Sequence, residues 1–218
     1  MTAIRLMLCG LALMCPLLAG AAGFDCGKAR KPVEKMICAD PALSRQDDEL
    51  VAAYRLALDK SVSRAAVKEW QRHWLASGRG ECQDAACLRQ AYQDHLQELA
   101  QHVQASAAGD AYSGVYRRYL PGGKPDTDAA ELTVIALSGR GVRIMGSAIW
   151  SGAAGAGNTN VGMVDGVAAL RGTLVNYLDP ETECRFTLGF AEDGLTIRDE
   201  NAECGGMNVT FKGTYRKR

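Results

Sequence analysis

Phe24-Asp25-Cys26 and Lys31-Pro32-Val33-Glu34-Lys35-Met36-Ile37-Cys38 open a stretch in which cysteines and helix-forming residues follow one another closely. The same stretch continues to Cys82 and Cys87, and Cys184 lies far beyond it in the second half of the 218-residue chain. Cysteines used at this density are typical of exported proteins, because disulfides persist in oxidising compartments. The pattern therefore predicts a disulfide-stapled helical segment in an exported protein.

An export signal precedes this stretch. Arg5 is followed by the apolar run Leu6–Leu18, and Ala19-Gly20-Ala21-Ala22 then offers small residues to a signal peptidase. A charge, an apolar run and small residues in this order are typical of a secretory signal peptide. We expect residues 1–22 to be this signal, with cleavage between Ala19 and Gly23. The mature protein is then periplasmic or secreted, without stable membrane insertion.

The charges of the chain are balanced, since 25 Lys and Arg residues accompany 25 Asp and Glu residues. Neither half of the chain has the basic excess that is typical of proteins that bind nucleic acids or anionic membranes. We therefore expect a protein partner and no nucleic acid. The sequence leaves the oligomeric state open.

The first part of the mature chain has helical periodicity. Asp40 before Pro41 is a favourable helix start, because its carboxylate can accept hydrogen bonds from the free amides of the first turn. Asp84 has the same role before a later helix, and apolar residues recur at helical spacing throughout this part. The pattern predicts a small all-α domain over residues 24–103, with three main helices and a shorter one near Pro32–Ile37.

The second part has a period of two. Residues 104–110 are small and polar, which is typical of a linker, and alternating apolar residues separated by turn-rich pieces follow them. We expect residues 111–218 to form an antiparallel β-barrel or sandwich that folds separately from the helical domain. Seven candidate strands are indicated: Tyr112–Tyr119, Glu131–Leu137, Gly141–Trp150, Val167–Tyr177, Glu183–Phe190, Gly194–Asp199 and Val209–Tyr215.

The glycine-rich segment 151–162 is the least core-like part of this second domain. It lacks the GK[ST] ending and the strand-then-helix setting of a phosphate-binding loop. We therefore interpret it as a hairpin loop.

The histidines offer no metal site. His73, His95 and His102 all lie in the helical part, and His95 and His102 are about 10.5 Å apart along a helix. This distance is too long for two neighbouring ligands of one ion, so we expect surface or half-buried histidines. No metal and no cofactor is predicted.

Catalytic residues are not evident in the sequence either. Ser147 lies within a candidate strand and has no base nearby in the sequence, and no serine has the G-x-S-x-G setting. The acidic pair Asp47-Asp48 is expected on an exposed helix face, and Glu192-Asp193 in a turn. We expect a binding protein and not an enzyme, with a hydrolase as the least favoured reading.

A set of residues in the helical part and its cysteines carries a family resemblance: Phe24-Asp25-Cys26, Pro32-Val33-Glu34-Lys35-Met36-Ile37-Cys38, Asp40-Pro41, Leu43, Asp47, Leu50, Tyr54, Gln71, Trp74, Cys82, Cys87-Leu88-Arg89 and Tyr92. Through these residues, the segment 24–100 resembles the N-terminal domain of the LprI-type lysozyme inhibitors. The match covers under half of the precursor, and the segment 77–80 departs from the more helical pattern of the family, which leaves the length of the second main helix open. The resemblance implies an exported helical domain with a role against lysozyme, but no inhibitory residue can be transferred.

This resemblance and the lack of catalytic groups favour an exported protein-binding inhibitor of a lysozyme-like cell-wall hydrolase. The alternative is a non-catalytic cell-envelope module that binds peptidoglycan or a periplasmic protein. The second domain looks like a type that is appended to such helical modules, without a function of its own that we can name.

The six cysteines beyond the signal are expected to form three local disulfides. Short-range pairs can form without prior tertiary structure, which favours them over pairs that are distant in the chain. The rival scheme in the helical part joins Cys38 to Cys82 and Cys26 to Cys87, and its longer closed loops would stabilise more. The predicted bonds are Cys26–Cys38, Cys82–Cys87 and Cys184–Cys204.

Overall fold

The computed structural model describes residues 23–124, 126, 129–152 and 157–218. The predicted signal peptide lies outside the described residues. The helices are α1 (Pro32–Ala39), α2 (Pro41–Lys60), α3 (Arg64–Ala76) and α4 (Ala85–Ala107). The strands are β1 (Gly114–Tyr119), β2 (Ala130–Leu137), β3 (Gly141–Ser151), β4 (Thr159–Arg171), β5 (Leu174–Leu178), β6 (Arg185–Ala191), β7 (Gly194–Arg198) and β8 (Gly213–Lys217).

The predicted helix starts are confirmed. Asp40 Oδ1 accepts hydrogen bonds from the amides of Ala42 and Leu43, at 2.8 and 3.3 Å. Asp84 caps α4 in the same way, through two amides at 2.9 and 2.8 Å. The predicted linker 104–110 is wrong in its first four residues, because α4 continues to Ala107. Two of those four residues are alanines, which have the highest helix propensity.

The second part of the chain forms a closed antiparallel barrel of eight strands. Each strand pairs with its neighbour in sequence, and β8 returns to pair with β1, so that Arg117 lies opposite Arg216. The barrel is thus confirmed over the sandwich. Its interior is filled by side chains from all strands, with Leu132, Ile144, Leu188 and Leu195 among those that are fully buried.

The count of seven strands is wrong, because the predicted strand Val167–Tyr177 is in fact parts of two strands. Gly172 turns the chain between β4 and β5 with a φ of 62°, a conformation that glycine adopts without steric cost. The predicted loop 151–162 also includes the first residues of β4. Gly162 lies in β4, where an added Cβ would collide with the carbonyl oxygen of Cys204. Glycine at position 162 therefore allows the backbone of β4 to lie close to the backbone at Cys204.

The separate all-α domain that we expected is not present. Helices α3 and α4 pack on the outer face of the barrel, and Val115, Ile135 and Met145 from the strands are buried in the same core as Trp70 and Leu99. Nearly all residues of β2 are buried, since one of its faces meets the barrel interior and the other meets the helices. The helices and the barrel thus share an apolar interface.

All three predicted disulfides are confirmed, and the rival pairing is wrong. The Cα–Cα distances are 5.7 Å for Cys26–Cys38, 5.5 Å for Cys82–Cys87 and 4.5 Å for Cys184–Cys204, within the range that a disulfide requires. Three disulfides indicate an oxidising environment for the protein. Within the described residues, none of the helices has the length and apolar character needed to cross a membrane.

Candidate functional site

A groove of about 400 Å³ lies where α3 and α4 meet the outer face of β3 and β4. Trp70, Trp74 and His95 line its inner part, and Arg143 and Asp165 line the barrel side. Residues that are distant in sequence therefore meet at this junction, and they include aromatic, basic and acidic side chains.

Four charged or titratable side chains form what we call the junction cluster: His73, Glu98, Arg143 and Asp165. The Arg143 guanidinium donates from Nε and Nη2 to the two carboxylate oxygens of Glu98, both at 2.6 Å. It also forms an ion pair with Asp165, whose other oxygen lies 2.8 Å from Nε2 of His73. The cluster therefore connects α3, α4, β3 and β4 through hydrogen bonds.

Asp165 and Arg143 of the junction cluster stay charged at neutral pH. Burial opposes the charge of Asp165, but the hydrogen bond from His73 and the positive charge of Arg143 hold the pKa of Asp165 below its usual value. Burial likewise opposes the charge of Arg143, but the hydrogen bond with Glu98 and the charge of Asp165 raise the pKa of Arg143. Opposite charges at hydrogen-bond distance favour the ionised form of both partners.

An aromatic group forms the inner part of the groove. The imidazole of His95 stacks on Trp74 with ring centroids 4.5 Å apart, and its Nε2 lies 3.0 Å from Oε1 of Gln71. The pKa of His95 is lowered to about 3, mainly because the imidazole is buried and also because Arg143 is positively charged. His95 is therefore neutral at physiological pH and donates from Nε2 to the amide oxygen of Gln71.

The expectation of surface or half-buried histidines is wrong for two of the three. His95 is 2% exposed and His102 is fully buried, with its Nδ1 2.9 Å from the carbonyl oxygen of Ala136 in β2. The sequence did contain a signal for this, since both residues continue the helical spacing of Tyr92 and Leu99. Only His73 lies at the rim of the groove, with its side chain 25% exposed.

The serines near this junction do not form a catalytic triad with His73 and Asp165. Ser77 lines the groove, but its hydroxyl donates to the backbone carbonyl of His73 at 2.8 Å. Ser147 lines a cavity of about 170 Å³ together with His73. Among the described residues no hydrogen bond joins its hydroxyl to the imidazole, a contact on which nucleophilic catalysis by serine depends.

The acidic pairs predicted from the sequence lie in different environments. Asp47 was expected on an exposed helix face, but it is only 4% exposed, whereas Asp48 is exposed. Position 47 falls between Leu43 and Leu50 in the buried stripe of α2, which explains the difference. Glu192-Asp193 occupies the exposed turn between β6 and β7, as expected. In the part of the chain that the structure describes, no group of three or more potential ligands could hold a metal ion.

The outer surface of β4 and β5 carries large apolar side chains that remain accessible to solvent. Arg171 pairs with Leu174, so the outward residues of the two strands lie on one face. Asp165 of the junction cluster interrupts this surface between two of its members. We call this set the β4–β5 apolar face, and its residues, each between 41% and 65% exposed, are Val161, Met163, Val167, Leu174 and Leu178.

No family model, curated protein or solved structure shows significant similarity to this chain. The resemblance of residues 24–100 to LprI-type inhibitors is therefore neither supported nor contradicted by these comparisons, and it stays a prediction. The groove and the β4–β5 apolar face are features of this chain for which no relative supplies a function.

Proposed function

We propose that this protein is an exported, non-catalytic inhibitor that binds a lysozyme-like cell-wall hydrolase in the periplasm or outside the cell. Three disulfides support a place in an oxidising compartment. The order of residues 1–22 supports export through a signal peptide. The resemblance of residues 24–100 to the LprI-type inhibitors supplies the kind of partner.

The β4–β5 apolar face is the observation that carries the binding role. Met163, Val167 and Leu178 are each more than half exposed on adjacent strands. Contiguous apolar surface with polar residues at its edge is typical of protein–protein interaction sites. Asp165 of the junction cluster supplies a polar group within the face, because it lies on β4 between Met163 and Val167.

The packing of the helices explains why this face is available. Helices α3 and α4 cover the outer surface of the barrel at β1 and β2, and Met145 on β3 is also buried by them. On β4 the outward residues Val161 and Met163 are instead 50% and 65% exposed. The barrel therefore presents one surface to its own helices and an adjacent surface to a partner.

Inhibition of cell-wall lysis tests this proposal. The purified mature protein is titrated against lysozymes of several structural types, and loss of lytic activity at micromolar inhibitor is the expected result. The double variant M163E/V167E places two charges on the β4–β5 apolar face, where their desolvation in an interface should weaken inhibition at least tenfold. The matched control V62E changes a residue that is 58% exposed next to α3 and should inhibit like the parent.

The outcomes separate the hypotheses. Absence of inhibition for every lysozyme type would refute the proposed function. If V62E weakens inhibition as much as M163E/V167E does, the binding surface does not lie on the β4–β5 apolar face. Retention of the parent on purified peptidoglycan, without any inhibition, would favour the cell-envelope binding module.

A further inference from the structure

Asp47 is a buried carboxylate whose two oxygens have different partners. Oδ1 accepts a 2.5 Å hydrogen bond from the hydroxyl of Tyr92 and lies 3.4 Å from Nη1 of Arg79. Oδ2 accepts a 2.8 Å hydrogen bond from the backbone nitrogen of Gly23. A carboxylate that is 4% exposed requires polar partners on both oxygens. The partner of Oδ2 is thus Gly23, the residue that directly follows the predicted signal peptide.

The position of Gly23 is tightly constrained. A Cβ at this residue would lie 2.5 Å from Cγ2 of Val51 and 3.0 Å from the Asp47 carboxylate. The following residues are fixed to the helical layer by the Cys26–Cys38 disulfide and by Asp25, which caps the short helix Cys26–Lys28. The Gly23 nitrogen is therefore held against the carboxylate by close packing that a larger residue would prevent.

The charged side chains around Gly23 include one more acid than bases. Two cavities border this residue, and the charged side chains that line them comprise four acids and three bases. An additional cation at the Gly23 nitrogen would balance this set. The groups are Asp25, Glu34, Asp47 and Asp48 with Lys28, Arg55 and Arg79.

We propose that the export signal is cleaved between Ala22 and Gly23 and that Asp47 binds the α-ammonium group this creates. Signal peptidase adds water across the Ala22–Gly23 peptide bond, so the C–N bond breaks and Ala22 leaves with a new carboxylate. The Gly23 nitrogen takes up protons and becomes an ammonium at neutral pH. Gly20 and Ala22 provide the small residues that such a peptidase requires three positions and one position before the cut.

Cleavage strengthens an interaction that the chain already makes. Before cleavage the Gly23 nitrogen is an amide with one N–H. Afterwards it is a cation with three N–H groups. In the structure the amide nitrogen already lies 2.8 Å from Oδ2 of Asp47. The new positive charge faces the negative charge of the carboxylate, and their mutual attraction adds to the hydrogen bond. Removal of the signal therefore ties the N-terminus of the mature chain to α2, and through Tyr92 to α4.

The first test is the identity of the mature N-terminus. The full-length precursor is exported in a bacterial host, and the purified product is examined by intact mass and N-terminal sequencing. We expect the sequence to begin Gly23-Phe24-Asp25. A mature protein that begins at Ala22, at Phe24 or at any other residue overturns the proposal.

The second test is the pKa of the Gly23 α-amine, measured from the pH profile of its acylation by acetic anhydride. An ordinary α-amine titrates near pH 8. With Asp47 as partner, we expect the midpoint in the folded protein to lie at least one pH unit above that of the same protein in urea. Burial alone would lower the midpoint, because it disfavours the charged form. An unchanged or lowered midpoint would therefore overturn the proposal.

Two variants identify the group that binds the amine. D47N should return the midpoint to its ordinary range, whereas D48N, which changes the exposed neighbour on α2, should keep it raised. A raised midpoint in D47N would assign the amine to another partner and refute the role of Asp47. If D47N is too unstable to purify, the comparison of folded and denatured parent protein still decides whether the amine is bound as a cation.

Discussion

Replacing Arg143 by Met should destabilise the protein by about 2–3 kcal/mol. Arg143 makes two hydrogen bonds with Glu98 and an ion pair with Asp165, and its side chain is 20% exposed. Removing one partner of a fully buried ion pair costs about 3–5 kcal/mol, and an exposed pair is worth about 0–1 kcal/mol. The partial exposure of this cluster puts the expected loss between these limits. Because Met keeps most of the aliphatic part of the arginine side chain, the decrease in unfolding free energy measures the removal of the guanidinium group.

Urea unfolding at pH 7 measures this loss. With a slope of about 2 kcal/mol per molar urea, the midpoint should fall by about 1–1.5 M. The matched control is R72M, which breaks the Arg72–Glu69 pair on the surface of α3, where the arginine side chain is 69% exposed. Its unfolding free energy should change by less than about 0.5 kcal/mol.

A double-mutant cycle then separates the pair from other effects. E98Q in the R143M background removes the charge of Glu98, which R143M deprives of its ion-pair partner, so the double variant should lose less than the sum of the two single losses. Equal effects of R143M and R72M, or strict additivity in the cycle, would refute the idea that the junction cluster stabilises the contact between helices and barrel.

Three further predictions concern pH, packing and covalent links. The pKa of His95 is lowered to about 3 in the folded protein, so between about pH 6.5 and pH 3 the imidazole is protonated in the unfolded chain alone. Stability should therefore fall toward pH 4 by up to about 1.4 kcal/mol per pH unit, and H95Q should reduce this slope in urea titrations at several pH values. Gly146 has no room for a Cβ against the neighbouring strand, so G146A should lower the melting temperature by more than about 5 °C. G172N, in a turn with open space around it, should leave the melting temperature nearly unchanged. Removing the Cys184–Cys204 bond by C184S/C204S should cost about 3 kcal/mol in the chain-entropy model, measured by urea unfolding.

The local features of this fold could be predicted because they depend on residues close in sequence. Asp40 and Asp84 cap helices through amides two and three residues away. The Cys82–Cys87 disulfide spans the connection that leads into α4. Such interactions need no knowledge of the tertiary structure, and the expectations based on them were confirmed.

The sequence of β2 indicates the contact between the helices and the barrel. Leu132-Thr133-Val134-Ile135-Ala136-Leu137 is nearly continuous in apolar residues, whereas a strand with one solvent-exposed face alternates. Such a run indicates cover on both faces. The first half of β4 was not predicted, because Gly162 and Gly166 interrupt the apolar alternation that marks a strand.

The junction cluster could not be predicted, because its members come together only through strand register and helix packing. Arg143 and Asp165 lie on neighbouring strands, in a register where Met145 is the direct partner of Asp165. A shift of one residue would turn either charge toward the barrel interior. The sequence does not specify that register directly, and it says still less about where His73 of α3 meets β4.

The position of Asp165 links the two surfaces of the barrel. On one side it is held by His73 and Arg143, at the edge of the interface that the helices bury. On the other side it is flanked along β4 by Met163 and Val167, which remain exposed. An ionised residue at this boundary opposes the burial of β4 by the chain's own helices, because moving a carboxylate from water into an apolar interface is costly. The ionised Asp165 is therefore in contact with the interface buried by α3 through His73, and its neighbours on β4 belong to the exposed β4–β5 apolar face.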